Sequence, residues 1–194
     1  MAVADFLFAT AILVAFSIID QLDRVAKEIN AAVGRATGLK TDVTKDADVE
    51  ALMDKTVEFG GSINFVVPSA GIIRDGQMIN TDKETGKVKK VMSTDAFRLV
   101  MEVDLIGSFI VLREVAKRMV DNGWIGVLCT ISSVNKCGQA SQLNYSSTKV
   151  SVALWPKSLA GEFHMKKIKD IRAGGIAPGY VGTTGGSWYG PGCS

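Results

Sequence analysis

The sequence predicts an α/β protein with a doubly wound parallel sheet and helices on both of its faces. Two observations carry this prediction. Short apolar runs rich in branched residues alternate about five times with segments whose apolar residues recur at helical spacing. No linker or internal repeat interrupts this alternation, which is typical of parallel strands joined by right-handed crossovers. The 194 residues are expected to form one domain, since a domain usually takes roughly 100–200 residues.

The first half of the chain is predicted to supply three strands and two helices. The strands are expected over residues 11–19, 36–41 and 62–68, and the helices over residues 20–34 and from Thr44 or Asp46 to about Phe59. Gly34 is expected to end the first helix, because glycine favours the backbone conformation that follows a helix. Thr44 or Asp46 is expected to cap the second helix, because such side-chain oxygens accept hydrogen bonds from free backbone N–H groups.

The second half is predicted to begin with a polar surface hairpin and to continue with helices and strands in alternation. The hairpin is expected over residues 78–91, helices over 94–120 and 143–164, and strands over 126–131 and 168–177. Ser93 is placed to cap the first of these helices. Pro156 lies deep in the second helix, where a proline removes a hydrogen bond and kinks the chain at a cost of ~3 kcal/mol.

Composition and charge exclude several classes of function. The net charge of +2 is too small to indicate a protein that binds nucleic acid. The three cysteines are odd in number and lack metal-ligand spacing, and His164 is the only histidine, so we expect no metal site and a reducing, cytoplasmic compartment. The apolar run over residues 6–19 is shorter than the ~20 residues that a membrane-spanning helix needs. We therefore interpret that run as buried strand and helix, with a membrane anchor as the alternative.

The sharpest chemical signal is the segment Tyr145-Ser-Ser-Thr-Lys149. Residues four apart lie on one face of a helix, so the ammonium would stand beside the phenol. A phenol has a pKa near 10, and a neighbouring positive charge lowers that value, which makes the tyrosine a usable acid or base. Ser133 follows a predicted buried strand and is placed to bind the same substrate oxygen. The alternative is a surface tyrosine beside a solvated lysine.

In this context the chain resembles the short-chain dehydrogenase/reductase family, particularly the 3-oxoacyl-carrier-protein reductase branch, over about residues 11–184. The marks of the resemblance are the pair Asp42-Val43, the turn Ser69-Ala70-Gly71, the run VDLIGSF around Asp104, the ISS before YSSTK, and IAPGYVGT. The resemblance implies a Rossmann-like dinucleotide-binding domain over residues 1–194. It also implies an oxidoreductase that uses NAD or NADP on a small-molecule carbonyl or alcohol.

The resemblance assigns roles to individual residues. Tyr145 would be the catalytic acid/base, Lys149 would lower its pKa, and Ser133 would orient the carbonyl. The implied cofactor contacts are Asp42, Val43, Ser69, Ala70, Gly71, Tyr145, Lys149, Pro178, Gly179, Val181 and Thr183. Gln142, together with Ser133 and Tyr145, would face the substrate. A homodimer or homotetramer is implied, with the helices over 94–120 and 143–164 paired between subunits. Apolar surface for this pairing would come from Val100, Leu105, Ile110, Val111, Val150, Val152 and Leu154, although core packing within the subunit explains some of them equally well.

Three of the departures from the family pattern concern the cofactor, the substrate and the proton transfer. No glycine precedes Gly34, so the family's first strand and glycine-rich phosphate turn are expected to be missing, which would leave neighbouring strands with unpaired backbone groups. The residues after Thr183 match none of the family's substrate-covering segment. Asp104 stands where the family's catalytic set has an asparagine, and a carboxylate cannot donate as an amide does unless it is protonated. The hypothesis is an impaired proton relay.

Two functions from different classes remain open at this point. The first is an active oxidoreductase that interconverts carbonyls and secondary alcohols, supported by the intact Ser133, Tyr145 and Lys149. The second is a truncated, non-catalytic family remnant that acts as a binding or subunit-partner protein, supported by the missing phosphate turn. Cofactor binding discriminates between them. The sequence does not identify the substrate or the preference between NAD and NADP.

Overall fold

The computed structural model describes residues 10–15, 19–32 and 34–179, and it confirms the predicted α/β class. Its elements are β1 (Thr10–Ala15), α1 (Ile19–Ala31), β2 (Arg35–Lys40), α2 (Asp46–Gly60), β3 (Phe65–Val66), β4 (Ile79–Thr81), β5 (Val88–Val91), α3 (Thr94–Val100), a π-helical turn (Met101–Gly107), α4 (Ser108–Asn122), β6 (Gly126–Ile131), a 3-10 turn (Val134–Cys137), α5 (Leu143–Met165) and β7 (Ile171–Ile176). No helix in these ranges is both long enough and apolar enough to cross a membrane.

The strands form two parallel sheets and one hairpin. β1 pairs with β2 in parallel, and β6 pairs in parallel with β3 on one side and with β7 on the other. A single doubly wound sheet was predicted, but no ladder joins β1 or β2 to the three-stranded sheet within the described residues. The parallel strands β2, β3, β6 and β7 are nonetheless followed by the loops in which the sequence placed its candidate site residues.

Several predicted boundaries in the first half are wrong. The first strand ends at Ala15, and α1 begins at Ile19 rather than at Asp20. Neither Thr44 nor Asp46 caps α2: Lys45 occupies the N-cap without a side-chain hydrogen bond. The Thr44 hydroxyl instead donates to Asp42 Oδ1 at 2.7 Å, so this polar cluster stabilises the turn before the helix rather than its first N–H groups. The predicted strand over residues 62–68 is reduced to the short β3.

The second half follows the prediction more closely. Ser93 caps α3 as expected, because its hydroxyl accepts from the Ala96 N–H at 3.1 Å. The long helix predicted over 94–120 is interrupted by the π-helical turn, a widening that is rare and that redirects side chains. β6 has the predicted bounds, and α5 runs through Pro156 to Met165. β7 starts at Ile171, later than predicted, because the chain turns after α5 with Lys167 at a positive φ of 58°.

The core packs α2 and α4 against the three-stranded sheet. Its fully or almost fully buried side chains include Val49, Leu52, Met53, Val115, Met119 and Leu128. Each large aliphatic side chain buried in this way contributes about 1.5–3 kcal/mol relative to leaving it exposed. The core therefore anchors the sheet whose strand ends carry Ser133 and Gly71.

The two-stranded sheet is attached to α1 by a side-chain clip. Asn30 Nδ2 donates to the Ala36 carbonyl and Asn30 Oδ1 accepts from the Ala36 N–H, both at 2.8 Å. One amide side chain thus satisfies both backbone groups of a β2 residue. The buried side chains of Leu22 and Ala26 pack the same helix onto the strand, in agreement with the predicted apolar face of α1.

The predicted surface hairpin is confirmed as β4 and β5, which pair in antiparallel fashion with a bulge after Asn80. Its turn is closed by Asp82, whose Oδ1 accepts from the N–H groups of Glu84 and Thr85 at 3.1 and 2.9 Å. The apolar side chains of Ile79 and Val91, which lie opposite each other, are exposed. The hairpin is consequently held mainly by its turn and its ladder rather than by burial.

Candidate active site

The candidate residues lie where the parallel strands end. Within the three-stranded sheet, backbone contacts join the strand ends directly: the Ser132 N–H donates to the Ile176 carbonyl at 2.8 Å and the Val134 N–H to the Pro178 carbonyl at 3.0 Å. Ser133 after β6 and Pro178 after β7 are therefore brought together. Gly179 follows directly and lies near Val134, whereas Val181 and Thr183 lie outside the described residues.

Tyr145 is held at this edge by its preceding neighbour. The fully buried Asn144 donates from Nδ2 to the Arg74 carbonyl at 2.9 Å and accepts the Tyr145 N–H on Oδ1 at 2.8 Å. The first turn of α5 is thereby fixed to the loop that follows β3. The tyrosine side chain itself is half-buried.

Burial raises the pKa of the Tyr145 phenol above its usual value, because the charged phenolate is desolvated. A hydrogen bond with the Ser133 hydroxyl lowers this pKa, and the negative charges of Asp104 and Asp75 raise it further. From the sequence, Lys149 was expected to lower the pKa of Tyr145. In the structure the net shift of this pKa is upward, because burial outweighs the hydrogen bond with Ser133.

Lys149 is almost completely buried and points its ammonium at three groups. Nζ donates to the Ile131 carbonyl at 3.3 Å, lies 3.8 Å from Asp104 Oδ2 and stands 5.3 Å from the centre of the Tyr145 ring. The distance to Asp104 makes this contact an ion pair rather than a hydrogen bond. Burial lowers the pKa of Lys149, and the Asp104 charge opposes that change. The spacing prediction that Tyr145 and Lys149 meet on one face of a helix is confirmed.

Asp104 is fully buried on the π-helical turn. Its Oδ1 accepts the Ile72 N–H at 2.7 Å, whereas Oδ2 has no hydrogen-bond partner among the described residues. Burial raises the pKa of Asp104, and the contacts with Ile72 and Lys149 lower it. This carboxyl group therefore links the loop after β3 to Lys149. Its Oδ2 lies near the lysine ammonium without forming a hydrogen bond among the described residues.

Gly71 passes close to Asp104 at the end of β3. A Cβ at Gly71 would lie 3.3 Å from Asp104 Oδ2, so a side chain there would press on the carboxylate. Earlier in the same turn, Ser69 is exposed, and Ala70 packs partly against the core. The turn Ser69-Ala70-Gly71 therefore leaves little space for a side chain at Gly71 on the side that faces Asp104.

The residues after β2 are arranged differently. Both oxygens of Asp42 are engaged locally, Oδ1 by Thr44 and Oδ2 by Lys45 at 3.3 Å, and the Thr44 hydrogen bond lowers the Asp42 pKa. Val43 is buried, and a Cβ at Gly107 would lie 2.6 Å from its Cγ2. Asp42 and Val43 therefore reach the rest of the site through one close packing contact, without a hydrogen bond to the tyrosine or the lysine.

A polar chain that the sequence analysis only partly identified lies beside Tyr145. Gln142, the N-cap residue of α5, donates from Nε2 to Asp75 Oδ2 at 3.0 Å and accepts from Asn135 Nδ2 at 2.6 Å. Gln142 was predicted to face the substrate, but Asp75 and Asn135 were missed. The sequence signal that could have identified Asp75 as a site residue was its charge and its position soon after the Ala70-Gly71 turn.

The arrangement fits the nicotinamide end of a dinucleotide. An ammonium has three donors, and Ile131 takes only one of those of Lys149, which leaves donors for ribose hydroxyls. No group of three or more His, Cys, Asp or Glu side chains within the described ranges is placed to hold a metal ion.

Comparison with known proteins connects this geometry to one family. The family model described as short chain dehydrogenase matches residues 2–188. The chain is 31% identical over 162 residues to cis-4-hydroxycyclohexanecarboxylate dehydrogenase from Sinomonas cyclohexanicum, covering 83% of this chain and 59% of that protein. It is 29% identical over 151 residues to the 3-oxoacyl-[acyl-carrier-protein] reductase of Mus musculus, covering 77% and 57%. The chain therefore spans little more than half the length of these relatives.

A solved structure has the same fold. The short chain dehydrogenase/reductase from Burkholderia phymatum, determined in complex with NAD, aligns with a TM-score of 0.77 at 21% identity. The alignment covers 89% of this chain and 57% of that one. This likeness supports the doubly wound α/β class on which the strand-end site is built.

Proposed function

The chain belongs to the short-chain dehydrogenase family, and from this premise we propose that it is an NAD(P)-dependent oxidoreductase that interconverts a carbonyl compound and a secondary alcohol. The observation that supports the proposal best is the cluster of Ser133, Tyr145 and Lys149 at the ends of the three-stranded sheet. The relatives named as a dehydrogenase and a reductase carry out chemistry of this class.

In the proposed reaction Tyr145 moves the proton. Because burial raises its pKa, the phenol is protonated throughout the neutral range, so it is poised to donate to the oxygen of a carbonyl. Ser133, whose hydroxyl already contacts the phenol, would bind the same oxygen and orient it. The side chains are thus set for carbonyl reduction at neutral pH and for alcohol oxidation at higher pH.

Lys149 and the neighbouring backbone would hold the cofactor. A bound nicotinamide dinucleotide supplies or accepts the hydride, which no side chain can do. The free donors of Lys149 would meet its ribose hydroxyls, and the backbone at Gly71 and Gly179 would lie against the ring and its ribose. Ser69, Ala70 and Pro178 are proposed as further contacts, with Asp42 and Val43 at the adenine end. The proposal covers both NAD and NADP.

Asp104 would affect the reaction through Lys149. Its Oδ2 lies 3.8 Å from Lys149 Nζ, so its negative charge would offset part of the electrostatic effect of the ammonium on the phenol. This position supports the hypothesis that the proton relay is weaker with Asp104 than it would be with an asparagine at the same position. Asp104 is therefore proposed as a residue that sets the rate rather than one that is required for the reaction.

A homodimer or homotetramer is proposed, and the structure changes the surface that would form it. Four of the side chains expected to pair subunits, Val100, Ile110, Val111 and Val152, are buried within the subunit. The remaining exposed large apolar side chains on the two helical stretches are Leu99, Ile106, Phe109, Val120, Leu143, Val150 and Leu154, all at least 40% exposed. We also propose a cytoplasmic location, in keeping with the odd cysteine count.

Titration of the purified chain with NADH and with NADPH, followed by nicotinamide fluorescence, tests the proposal. We expect saturable binding in the micromolar range for at least one of the two. A chain that is folded by circular dichroism but binds neither cofactor would contradict the proposed reaction. That outcome would favour the reading in which the chain is a non-catalytic family remnant.

A further inference from the structure

A second carboxylate reaches the mouth of the site from the loop that follows β3. Asp75 Oδ2 accepts from Gln142 Nε2 at 3.0 Å, and Gln142 Oε1 accepts from Asn135 Nδ2 at 2.6 Å. The backbone is fixed at the same place, because the Gly76 N–H donates to the Ser141 carbonyl at 2.8 Å. The Gln142 amide is thus held at both ends, with its nitrogen turned toward Asp75.

The position of Gln142 brings this chain of contacts to the reacting groups. Gln142 is the N-cap of α5 and precedes Tyr145 by three residues, and its carbonyl accepts the Ser146 N–H at 2.8 Å. The amide nitrogen carries two N–H groups, and Asp75 accepts one of them, which leaves the other for an oxygen of a bound molecule. Asp75 itself is exposed, so its charge acts on whatever enters.

The charged groups that face the phenol come from three elements. Asp104 lies on the π-helical turn, Lys149 lies on α5 itself, and Asp75 lies on the loop after β3. Asp104 is buried and forms an ion pair with Lys149. Asp75 forms no ion pair among the described residues, and its side-chain hydrogen bond there is the one from the neutral Gln142 amide.

We propose that Asp75 determines the charge specificity of the site. Its carboxylate holds Gln142 ready to donate to a neutral substrate oxygen and repels carbonyl compounds that carry an anionic group close to the reacting carbon. The preferred substrates are therefore uncharged ketones or alcohols with an ester, amide or hydroxyl group nearby. The inference rests on the proposed oxidoreductase function. Like charges brought together in a partly desolvated site repel strongly, whereas a distant surface charge is screened by salt.

The test compares acetoacetate with its methyl ester, two ketones that differ by one negative charge. We expect the wild-type chain to prefer the ester in kcat/KM. Asp75→Asn should reduce that preference about tenfold, chiefly by lowering the KM for acetoacetate, as expected for removal of one charge at close range. Asp75→Glu should keep the preference. Asp121→Asn, which makes the same charge change at an exposed position near the end of α4, should leave it unchanged.

An equal preference in wild type and Asp75→Asn, or equal effects of Asp75→Asn and Asp121→Asn, would overturn the proposal. A readout that needs no turnover separates this failure from failure of the proposed reaction. The Tyr145 phenol is titrated by ultraviolet difference absorbance in the cofactor-free chain, with Tyr145→Phe as the blank. Asp75→Asn should lower its pKa. An unchanged pKa overturns the proposal, and a lowered pKa in a chain that reduces neither ketone refutes only the proposed reaction.

Discussion

The two parallel sheets of the molecule contribute to the site in different ways. At the end of the three-stranded sheet, short polar contacts fix each reacting group, such as the 2.6 Å hydrogen bond from Ser132 Oγ to the Lys149 carbonyl. At the end of the two-stranded sheet, the Asp42 carboxylate accepts hydrogen bonds from Thr44 within its own turn. That sheet meets the site at the packing contact between Val43 and Gly107.

In the proposed reaction, this difference separates the acid/base residues from the adenine end of the cofactor. Hydrogen bonds with defined directions hold Tyr145 and Lys149, so the proposed acid/base geometry depends on one sheet and on α5. The alignment of the two sheets depends on van der Waals contact, which tolerates small shifts and is sensitive to added volume. Substitutions in the first region should therefore change turnover, whereas substitutions at the contact between the regions should change cofactor affinity.

The largest expected effect is the loss of turnover in Tyr145→Phe. The substitution keeps the ring and removes the proton donor, so kcat should fall by about 10²- to 10⁴-fold. The dissociation constant for the cofactor should stay close to that of wild type, as measured by nicotinamide fluorescence. Ser147→Ala, which removes a hydroxyl bonded to the Leu143 carbonyl on the same helix, serves as the control and should retain activity. Full activity in Tyr145→Phe would remove the basis of the comparison.

An intermediate effect is expected where the two regions meet. In Gly107→Ala the new methyl group would lie 2.6 Å from Val43 Cγ2, so the free energy of unfolding should fall by about 1–3 kcal/mol. The cofactor should bind more weakly, while kcat at saturation changes little. Thermal unfolding and cofactor titration measure both quantities.

Two further variants sharpen this test of the contact. Val43→Ala combined with Gly107→Ala should recover part of the lost affinity, because the smaller side chain makes room. Gly161→Ala on α5 has no atoms within 4 Å of its added Cβ, so it should leave binding unchanged and stabilise the helix by up to about 1 kcal/mol. Equal losses in Gly107→Ala and Gly161→Ala would mean that the contact does not couple the regions.

The smallest expected effect is a few-fold rise in turnover for Asp104→Asn. The Asp104 charge contributes to the raised pKa of Tyr145, so its removal should lower that pKa. Carbonyl reduction needs the protonated phenol, and its rate falls as the pH rises through this pKa. The alkaline limb of the pH–rate profile should therefore move to lower pH. An unchanged profile with an unchanged or lower rate would count against the relay hypothesis.

Much of the first region was predictable because its signals are local. The spacing of Tyr145 and Lys149 on a helix brings the two side chains together whatever the rest of the fold does. The bounds of β6 and the start of α5 follow from an apolar run and from the polar loop between them. Ser133 was predictable for the same reason, since it directly follows a buried strand.

The remaining features depend on contacts that are distant in sequence. Asp75 and Gln142 are 67 residues apart, and no local pattern pairs them. The π-helical turn has no residue signature in a single sequence, so neither this turn nor the contact of Asp104 with the Ile72 N–H was predicted. The raised pKa of Tyr145 was missed because spacing reveals the nearby lysine but not the degree of burial.

The clip between Asn30 and Ala36 has a consequence for the behaviour of the molecule in concentrated solution. A parallel strand points the N–H and C=O of alternate residues to its outer edge, and such free groups invite a strand from another molecule to add on. Because the N–H and C=O of Ala36 are already hydrogen-bonded to Asn30, a strand from another molecule could not pair with the N-terminal end of β2. A single amide thereby protects the outer edge of the smaller sheet against edge-to-edge aggregation.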